Sequence, residues 1–133
     1  MRVCNVPLIA DDATADTAMF LILGALRGFN YCMQSLRAGS FKGPSPPLGH
    51  DPRGKMLGIL GMGGIGRNMA IKARAFGMNI QYYNRNPLPV EQSGGAKYVS
   101  FDELLSTSDV LSLNLPLNVS FCRLSFTYSC VFY

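Results

Sequence analysis

Three observations on this 133-residue chain predict an α/β fold, a doubly wound parallel sheet flanked by helices. Residues 57–67, LGILGMGGIGR, pass from an apolar run through Gly61, Gly63 and Gly66 into a helical pattern. The run before the glycines is almost continuously apolar, as suits a parallel strand covered on both faces. Strand, helix, strand, helix and strand signals then succeed one another as far as Leu115, with right-handed crossovers expected. That order is one mononucleotide-binding half of a Rossmann-type sheet, an incomplete version of the fold preceded by a long helix.

The long helix comes first. Asp11 and Asp12 are candidate caps, and Ala15, Met19, Ile22, Leu26, Phe29, Met33 and Leu36 recur at spacings of four and three, predicting one buried face that ends at Gly39. Residues 41–54 carry Pro44, Pro46, Pro47 and Pro52 and read as an extended arm, since proline removes donors that helices and central strands need. His50, the lone histidine, lies in that arm and reads as a surface residue. Met56 to Leu60 is the first, central strand. In the helix that follows, Ile65, Met69, Ala73 and Phe76 are expected to face the sheet, Arg67, Lys72 and Arg74 to face water, and Gly77 to supply the left-handed stop. A second strand spans Ile80 to Tyr83. After a polar loop with Pro87, Pro89 and Gly94-Gly95, Lys97 to Val99 form a brief extended piece. Ser100 and Glu103 make a capping box for a short helix to about Ser106, and Asp109 opens a third strand, Val110 to Leu115, which stops at Pro116.

The glycine spacing points to a dinucleotide. Gly61 permits the tight turn out of the strand, Gly63 lets backbone approach a diphosphate, and Gly66 allows the helix to pack closely on the strand. Amides of the helix start, including those of Gly64 and Ile65, supply the donors, with about half a positive charge from the helix dipole. The lysine and hydroxyl of the other phosphate loop, G-x-x-x-x-G-K-[ST], are absent here, which argues against an ATPase or GTPase.

Asn84, Arg85 and Asn86 follow the second strand, where a dinucleotide's adenosine ribose is read. An acid there would accept from the 2′-hydroxyl of NAD and repel the 2′-phosphate of NADP. None is present. Arg85 can instead pair with a phosphate, so NADPH is expected to be preferred, with NADH as the other cofactor.

Composition excludes other classes. A hydrophobic content of 48% supports a core, and the net charge of +4 comes from Lys and Arg residues of which no two are adjacent, which is not a nucleic-acid-gripping tract. Cys4, Cys32, Cys122 and Cys130 show neither C-x-x-C spacing nor scaffold density, and no metal-ligand pattern is present. The longest apolar stretch, 18–26, is too short for a membrane span, and the start of the chain lacks a secretory pattern; a cytoplasmic protein is expected.

DDATADTAMFLILGALR, DPRGKMLGILGMGGIGR, YYNRNPL and SDVLSLNLPLN, in that order from Asp11 to Asn118, together resemble the D-isomer-specific 2-hydroxyacid dehydrogenases, particularly fungal glyoxylate/hydroxypyruvate reductase-like members. The resemblance implies that 61–66 take the pyrophosphate, that Asn84 to Asn86 read the ribose, and that Leu115, Pro116, Leu117 and Asn118 line the adenosine side. It also brings Thr14 toward the nicotinamide, with a first-turn hydrogen bond to backbone as the alternative. It implies 1–10 as the remnant of a substrate-domain junction and 11–118 as a partial NAD(P)-binding domain. Small 2-oxo acids are the implied substrates of the complete enzyme, and a homodimer the implied assembly. The family's substrate-binding arginine and its histidine–glutamate proton donor come after the third strand. Neither His50 nor Arg123 matches them, so no catalytic residue is expected in this chain, which alone should be inactive.

After Asn118 the resemblance ends. Residues 119–133, VSFCRLSFTYSCVFY, hold five aromatics, two cysteines and one charge, a composition expected of a translated intron or truncated gene and prone to aggregate. Two other classes stand beside the reductase reading: a non-catalytic dinucleotide-sensing, corepressor-like dimerisation module, and a non-functional truncated product with an unpaired sheet edge.

Overall fold

The computed structural model describes residues 9–40 and 48–115. Expectations for 1–8, for the part of the arm at 41–47, for Pro116, Leu117 and Asn118, and for the tail 119–133 lie outside the described residues.

Two helices replace the single long one. Helix α1 (Ile9–Leu26) ends and α2 (Phe29–Arg37) begins around Gly28, whose φ of 65° and ψ of 32° are left-handed. A left-handed residue reverses the chain at a helix end, and glycine adopts it without a Cβ penalty. The apolar period runs on through the break, but burial does not. Ala15, Met19 and Ile22 are buried, whereas Phe29, Met33 and Leu36 are exposed. Asp11 and Asp12 stand within the first turns of α1 rather than preceding it. The arm returns to α1, where the His50 amide donates to the Leu26 carbonyl at 2.7 Å; the residue itself is exposed.

Strands β1 (Met56–Leu60), β2 (Asn79–Tyr83), β3 (Lys97–Tyr98) and β4 (Val110–Leu113) form one parallel sheet in the order β3-β2-β1-β4. Helix α3 (Gly64–Ala75) joins β1 to β2, and α4 (Val90–Ser93), a short turn that the sequence reading treats as loop, precedes β3. Helix α5 (Phe101–Thr107) leads to β4, with the Ser100 hydroxyl accepting from the Glu103 amide at 3.2 Å. The Glu103 carboxylate turns to Lys97 at 2.8 Å, leaving the capping box one-sided.

Side chains alternate across β1. Leu57 and Ile59 join Met69, Ala70 and Ala73 of α3 and the buried face of α1, while Leu60 packs with Val99 and Leu104 on the α5 side. Phe76 is exposed, contrary to expectation. The helix ends at Ala75 and Gly77, at φ 72°, swings the chain so that Met78 takes the core position instead. Arg74 is not simply in water: its Nη2 is buried without a hydrogen-bond partner. The expected third strand is shorter than predicted, ending at Leu113.

Ion pairs fix the frame. Lys72 of α3 reaches Asp12 and Asp16 of α1 at 2.5 Å each, and its amine is held above its ordinary pKa chiefly by the hydrogen bond to Asp12 and next by that to Asp16. Asp109 accepts from the Met56 amide at 2.7 Å, joining the starts of β4 and β1. That amide, followed by the charge of Lys55, holds the Asp109 carboxyl below its ordinary pKa.

Candidate functional site

Because β2 and β4 lie on opposite sides of β1, the chain leaving β1 sits at a topological switch point, where parallel α/β sheets leave a crevice. The glycine turn occupies it. The Gly61 amide donates to the Tyr83 carbonyl at 3.1 Å, and the Asn114 amide to the Leu60 carbonyl at 2.8 Å, so both neighbouring strands hold the corner. Gly61 has a φ of 97°, and a Cβ there would lie 2.5 Å from the Asn114 carbonyl oxygen and 2.8 Å from Cδ2 of Leu115. At Gly66 a Cβ would stand 2.6 Å from the Gly61 carbonyl oxygen and 3.1 Å from Cγ2 of Ile59. Helix and strand thus meet backbone to backbone.

Beside Gly63, in contrast, a Cβ would meet no atom within 4 Å. The first hydrogen bond of α3 runs from the Arg67 amide to the Gly63 carbonyl at 3.0 Å, so the amides of Gly64, Ile65 and Gly66 precede the helical ladder. The N-cap residue, Gly63, has no side chain to cap them. The open space beside Gly63, at the positive end of a twelve-residue helix whose first amides lie outside the ladder, fits a diphosphate, although the Asp11 carboxylate occupies the side of Gly64. Gly61, Gly63, Gly64, Ile65 and Gly66 would hold it.

The loop after β2 is braced from below. Asn84 Oδ1 accepts from the Met62 amide at 2.7 Å, tying the loop after β2 to the glycine turn. Tyr98 donates its hydroxyl to the Asn84 carbonyl at 3.2 Å, and the Leu88 amide donates to the Tyr82 hydroxyl at 2.9 Å. Tyr82, Tyr83, Tyr98 and Phe101 form a run of edge and stacked ring contacts beneath it. Arg85 and Asn86 are exposed, and among the described residues neither makes a hydrogen bond or ion pair. Thr14 is exposed on the first half of α1, without the backbone bond its alternative reading requires. Leu115 borders Gly61.

Sequence reasoning missed three participants. The sequence places Asn84 as an expected ribose contact but not as the brace of Met62, because the pair is joined only by folding. Arg67, expected in water, folds back so that Nε donates to the Gly63 carbonyl at 3.3 Å. Asp11, read as a cap of its own helix, lies with its carboxylate against Gly64. Its position two residues from Ala13 in a capping-like cluster carries no signal of that contact.

The family described as D-isomer specific 2-hydroxyacid dehydrogenase, NAD binding domain, matches residues 19–121. The chain belongs to this family of oxidoreductases. It is 58% identical over 120 residues to 4-methyl-2-oxopentanoate reductase A of Aspergillus oryzae, covering 90% of this chain and 36% of the relative. Glyoxylate reductase 1 of Saccharomyces cerevisiae is 46% identical over 123 residues, covering 89% and 35%. Among solved structures, a glyoxylate reductase from Paecilomyes thermophila superposes with a TM-score of 0.82 at 62% identity, covering 86% of this chain and 34% of that one. The chain therefore spans about a third of the relatives it matches, the NAD-binding-domain third, and its cofactor is a nicotinamide dinucleotide. Among the described residues no helix is long and apolar enough to cross a membrane.

Proposed function

We propose that this chain is the dinucleotide-holding part of a reductase that converts small 2-oxo acids, of the glyoxylate and hydroxypyruvate type, into D-2-hydroxy acids with NADPH. The observation that carries the reading is the turn 61–66, packed against backbone at Gly61 and Gly66 yet open beside Gly63. In this reading the pyrophosphate lies on the amides of Gly64 and Ile65, Asn84, Arg85 and Asn86 meet the ribose and its 2′-phosphate, Leu115 to Asn118 border the adenosine, and Thr14 faces the nicotinamide end.

Asn84 supports NADPH over NADH. Its carbonyl end is consumed by the Met62 amide, which leaves Nδ2 as a donor, the complement of a phosphate oxygen. Arg85, exposed beside it, adds a cation. A carboxylate, which would repel the phosphate, is absent from 84–86. NADH is the weaker ligand. Titrating the chain with both cofactors before and after Arg85→Ala tests this: the NADPH advantage should fall about tenfold, as loss of a charge-assisted contact implies. An unchanged ratio sinks the assignment.

Residues 1–133 supply no proton donor or substrate arginine in this reading, so NADPH oxidation with glyoxylate or hydroxypyruvate should be undetectable with this chain alone. Turnover would show that catalytic groups have been overlooked. We further propose a homodimer through the groove of about 560 Å³ on α1 and α2 that Phe20, Leu21, Phe29 and Met33 line. Sedimentation with and without NADPH measures it.

A further inference from the structure

Helix α1 delivers a negative charge to the mouth of the dinucleotide turn. Gly64 is the first residue of α3, and an ideal Cβ there would overlap Oδ2 of Asp11, with Cγ at 2.8 Å and Oδ1 at 3.3 Å. The carboxylate therefore fills the space that any side chain at position 64 would need. It does so without capping the helix: among the described residues Asp11 accepts no hydrogen bond from the amides of Gly64, Ile65 or Gly66, and the N-cap position is Gly63, which has no side chain. The amides remain for a ligand while the charge stays beside them. Its placement is enforced from below, because Lys72 holds Asp12 and Asp16 of the same helix against α3.

Such a charge acts in two directions. Toward the helix alone it is favourable, as an anion near the positive end of a dipole. Toward a dinucleotide it is unfavourable, because two phosphate charges must settle on the same helix end. We propose that Asp11 is an anionic competitor built into the cofactor turn, lowering dinucleotide affinity and hastening release, and that position 64 is glycine because the Asp11 carboxylate takes the room of its side chain. This rests on the dinucleotide reading and adds a tuning residue to it. A unit charge some 6–8 Å from a phosphate, at an effective dielectric between protein surface and water, changes a binding constant by about tenfold.

The full chain and its Asp11→Asn and Asp11→Ala variants are titrated with NADPH, following the cofactor's fluorescence, at low and physiological ionic strength, and each is melted without ligand. Both variants should bind about tenfold more tightly at low salt, the gap narrowing as salt screens the charge, while the ligand-free Tm falls slightly. A merely structural residue would weaken both properties together. Equal or weaker NADPH binding in the variants overturns the proposal and leaves the dinucleotide site standing. Absence of NADPH binding in all three proteins overturns both. Gly64→Ala gives a readout independent of cofactor: it should lower the Tm in the parent chain and be tolerated in the Asp11→Ala background, and equal losses in the two backgrounds would refute the pairing.

Discussion

Asn84 offers the sharpest separation of structure from electrostatics, because one end braces Met62 and the proposed function gives the other end to the cofactor. In Asn84→Ala the acceptor of the Met62 amide vanishes. Met62 is 2% exposed, so its N–H is left buried and unpaired. An orphaned buried donor costs about 1–3 kcal/mol. At roughly 2.1 cal/mol/K of unfolding entropy per residue, a chain of this length loses about 3–4 °C per kcal/mol, or roughly 4–11 °C in Tm. Asn84→Asp keeps an acceptor at the same place, so its Tm should remain near that of the parent. Its effect falls on the cofactor. A carboxylate about 4 Å from a 2′-phosphate opposes it by about 1 kcal/mol in water and 4 kcal/mol at an effective dielectric of 20, so NADPH affinity should drop tenfold or more relative to NADH. Thermal melts followed by circular dichroism and parallel titrations with both cofactors read the two effects separately. Equal Tm losses in the two variants would refute the brace, and an unaltered cofactor ratio in Asn84→Asp would refute the placement of the 2′-phosphate.

Gly66→Ala tests the close approach of α3 and β1: the new methyl would press on the Gly61 carbonyl at 2.6 Å, which no rotamer change relieves. A net loss of roughly 1–2 kcal/mol is expected after the helix-propensity gain, with dinucleotide binding abolished, and unchanged denaturant midpoints would contradict it. Acidification tests Asp109. Its folded pKa is lowered by the Met56 amide and Lys55, so the stability it contributes is present above the unfolded carboxylate value of about 3.9 and disappears as pH falls through the folded value. The side chain is 44% exposed, which limits the contribution to about 0.5–1 kcal/mol. Urea midpoints of the parent should accordingly exceed those of Asp109→Asn at pH 7, and the gap should shrink progressively as pH falls below the unfolded carboxylate value; a gap independent of pH would exclude the charge as its source.

Local signals carried most of the fold. The boundaries of β1 and the stop at Gly77 were readable because glycine spacing and apolar runs act over a few residues, and Ser100 because a cap needs only its own turn. Gly28 was not. A continuous apolar period masks one glycine, and only the packing of α1 on α3 sets where burial stops, at Ile22 with Leu26 partly covered. Phe76 failed for a related reason: helical periodicity was extended one residue past the helix, into the turn that hands the core position to Met78. At the site, the glycines were legible from spacing, whereas the links of Asn84 to Met62 and of Asp11 to Gly64 join residues 22 and 53 positions apart, and no local pattern encodes them.

The strand order has a bearing on how this protein could be retuned. The recess at the end of β1 arises because successive crossovers depart in opposite directions, so main chain shapes it, Asn84 braces it through Met62, and the exposed Arg85 and Asn86 lie at its rim. Replacing Arg85 and Asn86 should shift the nucleotide preference while the hollow itself persists. Erasing the hollow would require rewiring the sheet.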